Sequence, residues 1–266
     1  MTSTKTDGPQ SGGPRGRLRA AAPLLAAAAV LYNAWLLESL VPTGLDARHS
    51  YVSELYAADG AYRWLFGGLE LVCATLVVAG AVLGATTAAT GDRAARAGWW
   101  ALAGLGVCSV ADVLMPMTCT PSLRPGCRAV HPTHTLTSAL VHCCLFASMA
   151  LIVWAARRRG HPPLIARWGM PVAGAALVSS LCTVGPLIGH GGWHGVAQRC
   201  HLLLVGAWLA LLAHRAWTAR PVPDAPPGPP ARRPAVGSAA RVASLDGARD
   251  GPPTPSISSG PPERAE

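Results

Sequence analysis

His134, Ser138 and His142 stand four and four residues apart in HPTHTLTSALVH, so a helix there carries all three on one face. His131 lies three residues upstream, where the start of such a helix brings it near. Imidazole is a proton shuttle near neutrality and the commonest metal ligand. Two imidazoles faced by Asp112 or Glu70 from other segments would supply the three protein ligands and open position of a catalytic zinc. Zinc lowers the pKa of its bound water and makes a nucleophile. His131, His134 and His142 are the candidate ligands, with Asp112 and Ser138 beside them as catalytic candidates. The same residues also suit polar bonding between helices or metal-free acid–base and ligand-binding work. No HExxH occurs, and spacing alone leaves these alternatives open.

A second group lies in RHSYVSELYAADG. His49 and Ser53 are four apart, as are Ser50 and Glu54, so a short helix would pair them. Ser53 and Glu54 are therefore candidates for nucleophilic chemistry, although a triad is defined by geometry rather than sequence proximity and no GxSxG elbow is present. The simpler account is that Ser50 or Ser53 caps a short interfacial helix, with Tyr51, Tyr56, Tyr62 and Trp64 at headgroup level.

Cys119 and Cys127 bracket TPSLRPG, a short loop that a disulfide would close in an oxidising compartment. The remaining six cysteines, including adjacent Cys143 and Cys144, read as small buried hydrophobes. IGHGGWHGVAQR combines His190, His194 and Trp193 with Arg199. The guanidinium fork of Arg199 matches phosphate or carboxylate, making it a substrate-binding candidate, and near a membrane it must snorkel or pair.

What positions these residues is a lipid-embedded scaffold. Half of the 266 residues are hydrophobic and 13% are charged, against about 25% charged in soluble domains. The +9 formal charge is not a nucleic-acid footprint, because the arginines sit at the ends of apolar runs without aromatic stacking platforms. Six apolar segments, roughly 20–41, 64–87, 98–117, 133–156, 168–189 and 196–217, approach the roughly 20 residues a spanning helix needs. The expected fold is all-α, a six-transmembrane-helix bundle over 20–217. A basic, disordered segment 1–19 is expected to precede it and a disordered Pro/Gly-rich tail 218–266 to follow, with no sequence signal for a second domain.

Six spans put both termini on one side. Arg15, Arg17, Arg19, Arg93, Arg96, Arg157, Arg158, Arg159 and Arg167 gather on that side, while the opposite loops hold fewer arginines. Cytoplasmic loops collect Lys and Arg, so both termini are expected in the cytoplasm of a cell-membrane protein. On this topology Glu38, Glu70, Asp112, the helix-four histidines and Arg199 fall in the outer halves of their spans. Ionisable groups inside a membrane face a bundle interior or a watery cavity, so the pattern predicts a polar chamber open toward the outside.

The order HSYVSEL, DVLMPMTC, HPTHTLTSALVH, GVAQR along six apolar segments resembles the bacterial multi-pass membrane family catalogued as domain of unknown function nine-nine-eight, over about residues 20–217. The resemblance implies the six-helix fold and draws attention to Ser53, Glu54, Asp112, His131 and His134, without an activity. A more distant similarity is to the membrane hydrolases that include alkaline ceramidases and adiponectin receptors. That likeness implies zinc chemistry, with Asp112 and Ser138 in analogous roles and His134 and His142 among the ligands. The chain departs from it in having six segments and no clean terminal HxxxH, His190 and His194 falling in a glycine-rich loop.

Two main functions are expected from these residues. In one, zinc-activated water attacks an ester or amide of a lipid-like substrate oriented by Ser138 or Ser53, with Arg199 on an anionic group. In the other, the chamber binds a lipid or small hydrophobic molecule, or couples its passage to protonation of Glu38 or Glu70. A structural partner within an envelope complex is a third possibility.

Overall fold

The computed structural model describes residues 14–88, 92–128, 130–190 and 192–219. Six α-helices cross the molecule: α1 (Pro14–Leu31), α2 (Arg63–Thr87), α3 (Arg93–Leu114), α4 (Pro132–Arg159), α5 (Pro163–Leu181) and α6 (His194–Trp217). Short 3-10 helices occupy Ala34–Leu40, Val52–Tyr56 and Gly185–Ile188. Among the described residues no strand occurs, and six helical spans are long and apolar enough to cross a membrane. The chain is thus a multi-pass, all-helical bundle.

Local chemistry sets the helix ends. Pro132 and Pro163 open α4 and α5, where the missing N–H costs nothing and φ is already helical. Asp92 caps α3 by accepting from the Ala95 N–H at 3.0 Å. Arg157, Arg158 and Arg159 form the last turn of α4, where cations complement the helix dipole, and Gly160 stops it with φ of 63°. Arg159 then reaches Asp92 at 3.2 Å, tying α4 to the start of α3.

Sequence neighbours pack against one another, and α6 closes the ring against α1. Trp99, Trp208, Leu25, Met149 and Ile152 are fully buried at the centre. The perimeter carries exposed apolar side chains such as Val30, Val107, Leu136, Trp154 and Val178, as a lipid-facing surface requires. Helices touch through glycine at several places; Gly84 of α2 lies under the Trp99 ring, and Gly106 of α3 under the Ala74 carbonyl and Val78. Small residues of this kind let membrane helices approach closely.

Several boundaries differ from expectation. α1 includes residues 14–19, inside the segment expected to be disordered. It ends at Leu31, after which Glu38 sits on a 3-10 turn rather than an α-helix. α5 starts and stops earlier than the apolar run it belongs to, with Gly185–Ile188 completing the run. The rest of the N-terminal segment, 1–13, and the tail from 220 onward lie outside the described residues.

Candidate functional site

Asp112 sits near the C-terminal end of α3 and is 8% exposed. Four side chains converge on it. Tyr56 donates its phenol to Oδ2 at 3.1 Å, Ser138 donates to Oδ1 at 2.8 Å, and Thr137 donates to Oδ1 through a short bond. His134 places Nδ1 3.2 Å from Oδ1, but the contact is within ion-pair distance without being aligned for a hydrogen bond. Nδ1 consequently has no hydrogen-bond partner, although His134 is only 7% exposed. An unpaired buried polar atom is costly in a protein interior.

This hub opens on a cavity of about 410 Å³. Glu70 of α2 lies on its wall, with Ser109 of α3 beside it. Apolar walls come from Leu31, Phe66, Val141 and Leu202. Farther along α4, His142 directs Nδ1 at the Ser138 carbonyl at 2.7 Å and stacks on His201, ring centroids 4.9 Å apart. His201 in turn bonds the Ala176 carbonyl at 2.9 Å. A carbonyl only accepts, so Nδ1 is the donor in both imidazoles.

The 3-10 helix Val52–Tyr56 closes one end of this cavity and is fastened from several sides. Val52 donates its N–H to Gln198 Oε1 at 2.7 Å, and the Tyr51 phenol donates to the Thr183 carbonyl at 2.9 Å. Glu54, 2% exposed, accepts from the Tyr51 N–H at 2.8 Å and from the Ser122 N–H and hydroxyl at 2.9 Å each. Burial, with the Asp112 carboxylate next, pushes the Tyr56 phenol well above its ordinary range. Burial and then Glu54 push Tyr51 up to about 12.

The structure brings together Asp112, His134 and Ser138, with Glu70 and His142 on the same cavity. It separates the rest. Ser53 lines the cavity but gives its hydroxyl to Met117 Sδ at 3.4 Å rather than to a base. His49 bonds Asp46 at 3.0 Å instead of Ser53. The turn is capped, but by the Glu54 carboxylate reaching back; Ser50 closes the preceding turn on the Asp46 carbonyl at 2.8 Å. Neither Ser53 nor Ser138 faces an imidazole as a nucleophile would. Arg199 and Glu38 pair with each other and lie off the cavity wall.

The expected zinc ligands do not converge. His131 bonds Thr118 through Nδ1, 3.1 Å from its hydroxyl, on the side of the Cys119–Cys127 disulfide. Among the described residues the one three-ligand grouping is Cys119, Cys127 and His131, and both sulfurs are in that disulfide. His134 and His142 share a face yet lie about 12 Å apart along the helix axis, at 1.5 Å per residue. A shared face is not a shared depth. The histidine spacing does not point to Thr137 and Tyr56, which complete the Asp112 hub; a Thr one turn after His134 and adjacent to Ser138 is the signal the sequence offers.

A six-helix membrane bundle enclosing a polar hub at one end of an apolar cavity is the class these observations define. The family described as "protein of unknown function (DUF998)" matches residues 25–215, and the chain belongs to it. No curated protein and no solved structure shows significant similarity to the chain.

Proposed function

We propose that the protein binds a small amphipathic molecule in the cavity, its polar end at Asp112 and His134 and its apolar part against Leu31, Val141 and Leu202. One observation carries this: the unpaired, buried Nδ1 of His134 beside a three-hydroxyl carboxylate hub on an otherwise largely apolar cavity. A cavity of about 410 Å³ falls within the usual range for ligand pockets, which are mostly apolar with a few convergent polar groups. The hydroxyls orient Asp112, so the site is preorganised to recognise rather than to attack. Zinc-dependent hydrolysis has less support, since the candidate ligands sit at different depths.

The test is recovery of a bound molecule. Full-length protein in nanodiscs should retain, by native mass spectrometry, an amphipathic species that Ala139→Trp displaces by filling the cavity and Asp112→Asn depletes, both variants keeping wild-type helicity. Retention unchanged in both folded variants would rule the cavity out.

We further infer that the protein lies in the cell membrane with both termini in the cytoplasm and the chamber facing outward. The arginines at the start of α1 and α3 and the end of α4 support this orientation. Single cysteines introduced beside Gly126 and Arg158 separate the cases. Labelling of intact cells by an impermeant maleimide should occur near Gly126, and preferential labelling near Arg158 would reverse the orientation.

A further inference from the structure

Resting on that binding reading, we propose that the polar end of the ligand is a cationic nitrogen, a primary ammonium on an apolar body, received between Glu70, Asp112 and His134.

Charge points this way first. Glu70 and Asp112 line the cavity, and among the described residues no Lys or Arg does. The nearby buried guanidinium, Arg199, is engaged by Glu38 and three backbone carbonyls. None of the ion pairs among the described residues involves Glu70. An anionic head would meet two carboxylates with no Lys or Arg among the described lining residues to offset them, where such repulsion is least screened.

The hydrogen-bonding inventory points the same way. An ammonium carries three donors and no acceptor. The wall offers the Glu70 and Asp112 carboxylates as acceptors, with the buried His134 ring beside Asp112, its Nδ1 3.2 Å from Oδ1. The hydroxyls nearest the hub, those of Tyr56, Thr137 and Ser138, already donate to Asp112 and are not free to receive a carboxylate or phosphate head there.

Aromatic rings supply a third, independent indication. Tyr32, Trp35, Tyr51, Tyr56 and Phe66 all line the same cavity. Ring faces attract cations through their quadrupole, more strongly where water is excluded. Carboxylates and aromatic faces around one apolar volume are complementary to an amine-headed amphiphile, with the alkyl portion against Val141 and Leu202.

The experiment uses full-length protein in phosphatidylcholine nanodiscs and radiolabelled decylamine, with empty nanodiscs as background. Decanol and decanoic acid compete as neutral and anionic heads on the same chain. Decylamine should bind saturably and outcompete decanol by about tenfold, the difference expected between a charge-assisted and a neutral hydrogen bond. Glu70→Gln should remove that preference while decanol competes as before, and Glu70→Asp, which keeps the charge, should retain most of it. Equal binding of amine and alcohol, or a preference for the acid, would overturn the amine assignment and leave the chamber standing. Failure of all three chains to bind folded protein would count against both the chamber and its amine.

Discussion

Arg199 at the start of α6 and Glu38 after α1, 161 residues apart, meet in a two-pronged pair, Nε to Oε1 at 2.7 Å and a terminal nitrogen to Oε2 at 2.6 Å. The other terminal nitrogen donates to the carbonyls of Ala47, Ser50 and Gly195. One guanidinium therefore fixes the first loop against the junction of α1 and α6. The two side chains are 8% and 12% exposed, so removing one leaves the other buried and unpaired. Arg199→Ala and Glu38→Gln should each cost about 3–5 kcal/mol, read as a lower unfolding temperature in detergent. The double variant Arg199→Met, Glu38→Leu should lie closer to wild type than either single change. Singles that melt like wild type would show that the pair holds nothing together.

The Cys119–Cys127 disulfide spans eight residues and contains Ser122, whose N–H and hydroxyl both hold Glu54. The bridge thus supports the 3-10 helix at the end of the chamber through a single carboxylate. Replacing both cysteines by Ser should cost about 2–3 kcal/mol for a loop of this length. Hydrogen exchange should rise in residues 52–56 as well as in the loop itself. Faster exchange confined to the loop would mean that Glu54 keeps its place without the bridge.

Tyr51 and Tyr56 give a pH signature. Burial raises both phenols, Tyr51 to about 12, whereas an unfolded Tyr titrates near about 10. Their contribution to stability is fully present below the unfolded value and is lost as pH rises through the folded values. Phenolate absorbance of the folded protein should therefore lag that of the denatured chain, and Tyr51→Phe and Tyr56→Phe should each shrink the lag. Coincident titration curves would contradict the packing of Val52–Tyr56.

The bundle was legible because lipid demands helices and each span is a long apolar run; the six segments read from the sequence are the six helices found, give or take their ends. Asp112, His134 and Ser138 were legible as a group because a carboxylate and histidines inside an apolar run have few places to go. Depth was not. Periodicity reports a face, so His134 and His142 looked like neighbours, and His131 looked near both while packing beside the disulfide loop. Arg199 illustrates the second limit: its partner Glu38 is 161 residues away, and no local pattern distinguishes a guanidinium reserved for a ligand from one paired within the protein.

Helix spacing around the chamber depends on Gly106. A Cβ added there would lie 2.8 Å from the Ala74 carbonyl oxygen and 2.7 Å from Val78 Cγ2, and the backbone oxygen cannot turn aside as a side chain would. Gly106→Ala must therefore push α3 away from α2, the two helices that carry Asp112 and Glu70. The expected cost is about 1–3 kcal/mol, as for other overpacked interiors, together with weaker retention of the amphiphile proposed for the chamber. Gly68, in α2, has nothing within 4 Å of its own added Cβ. Gly68→Ala should be neutral or stabilise by up to about 1 kcal/mol, the helix propensity difference between the two residues. Thermal unfolding of both variants beside wild type decides the matter: equal behaviour at the two positions would mean that close approach at Gly106 does not set the distance between the walls of the chamber.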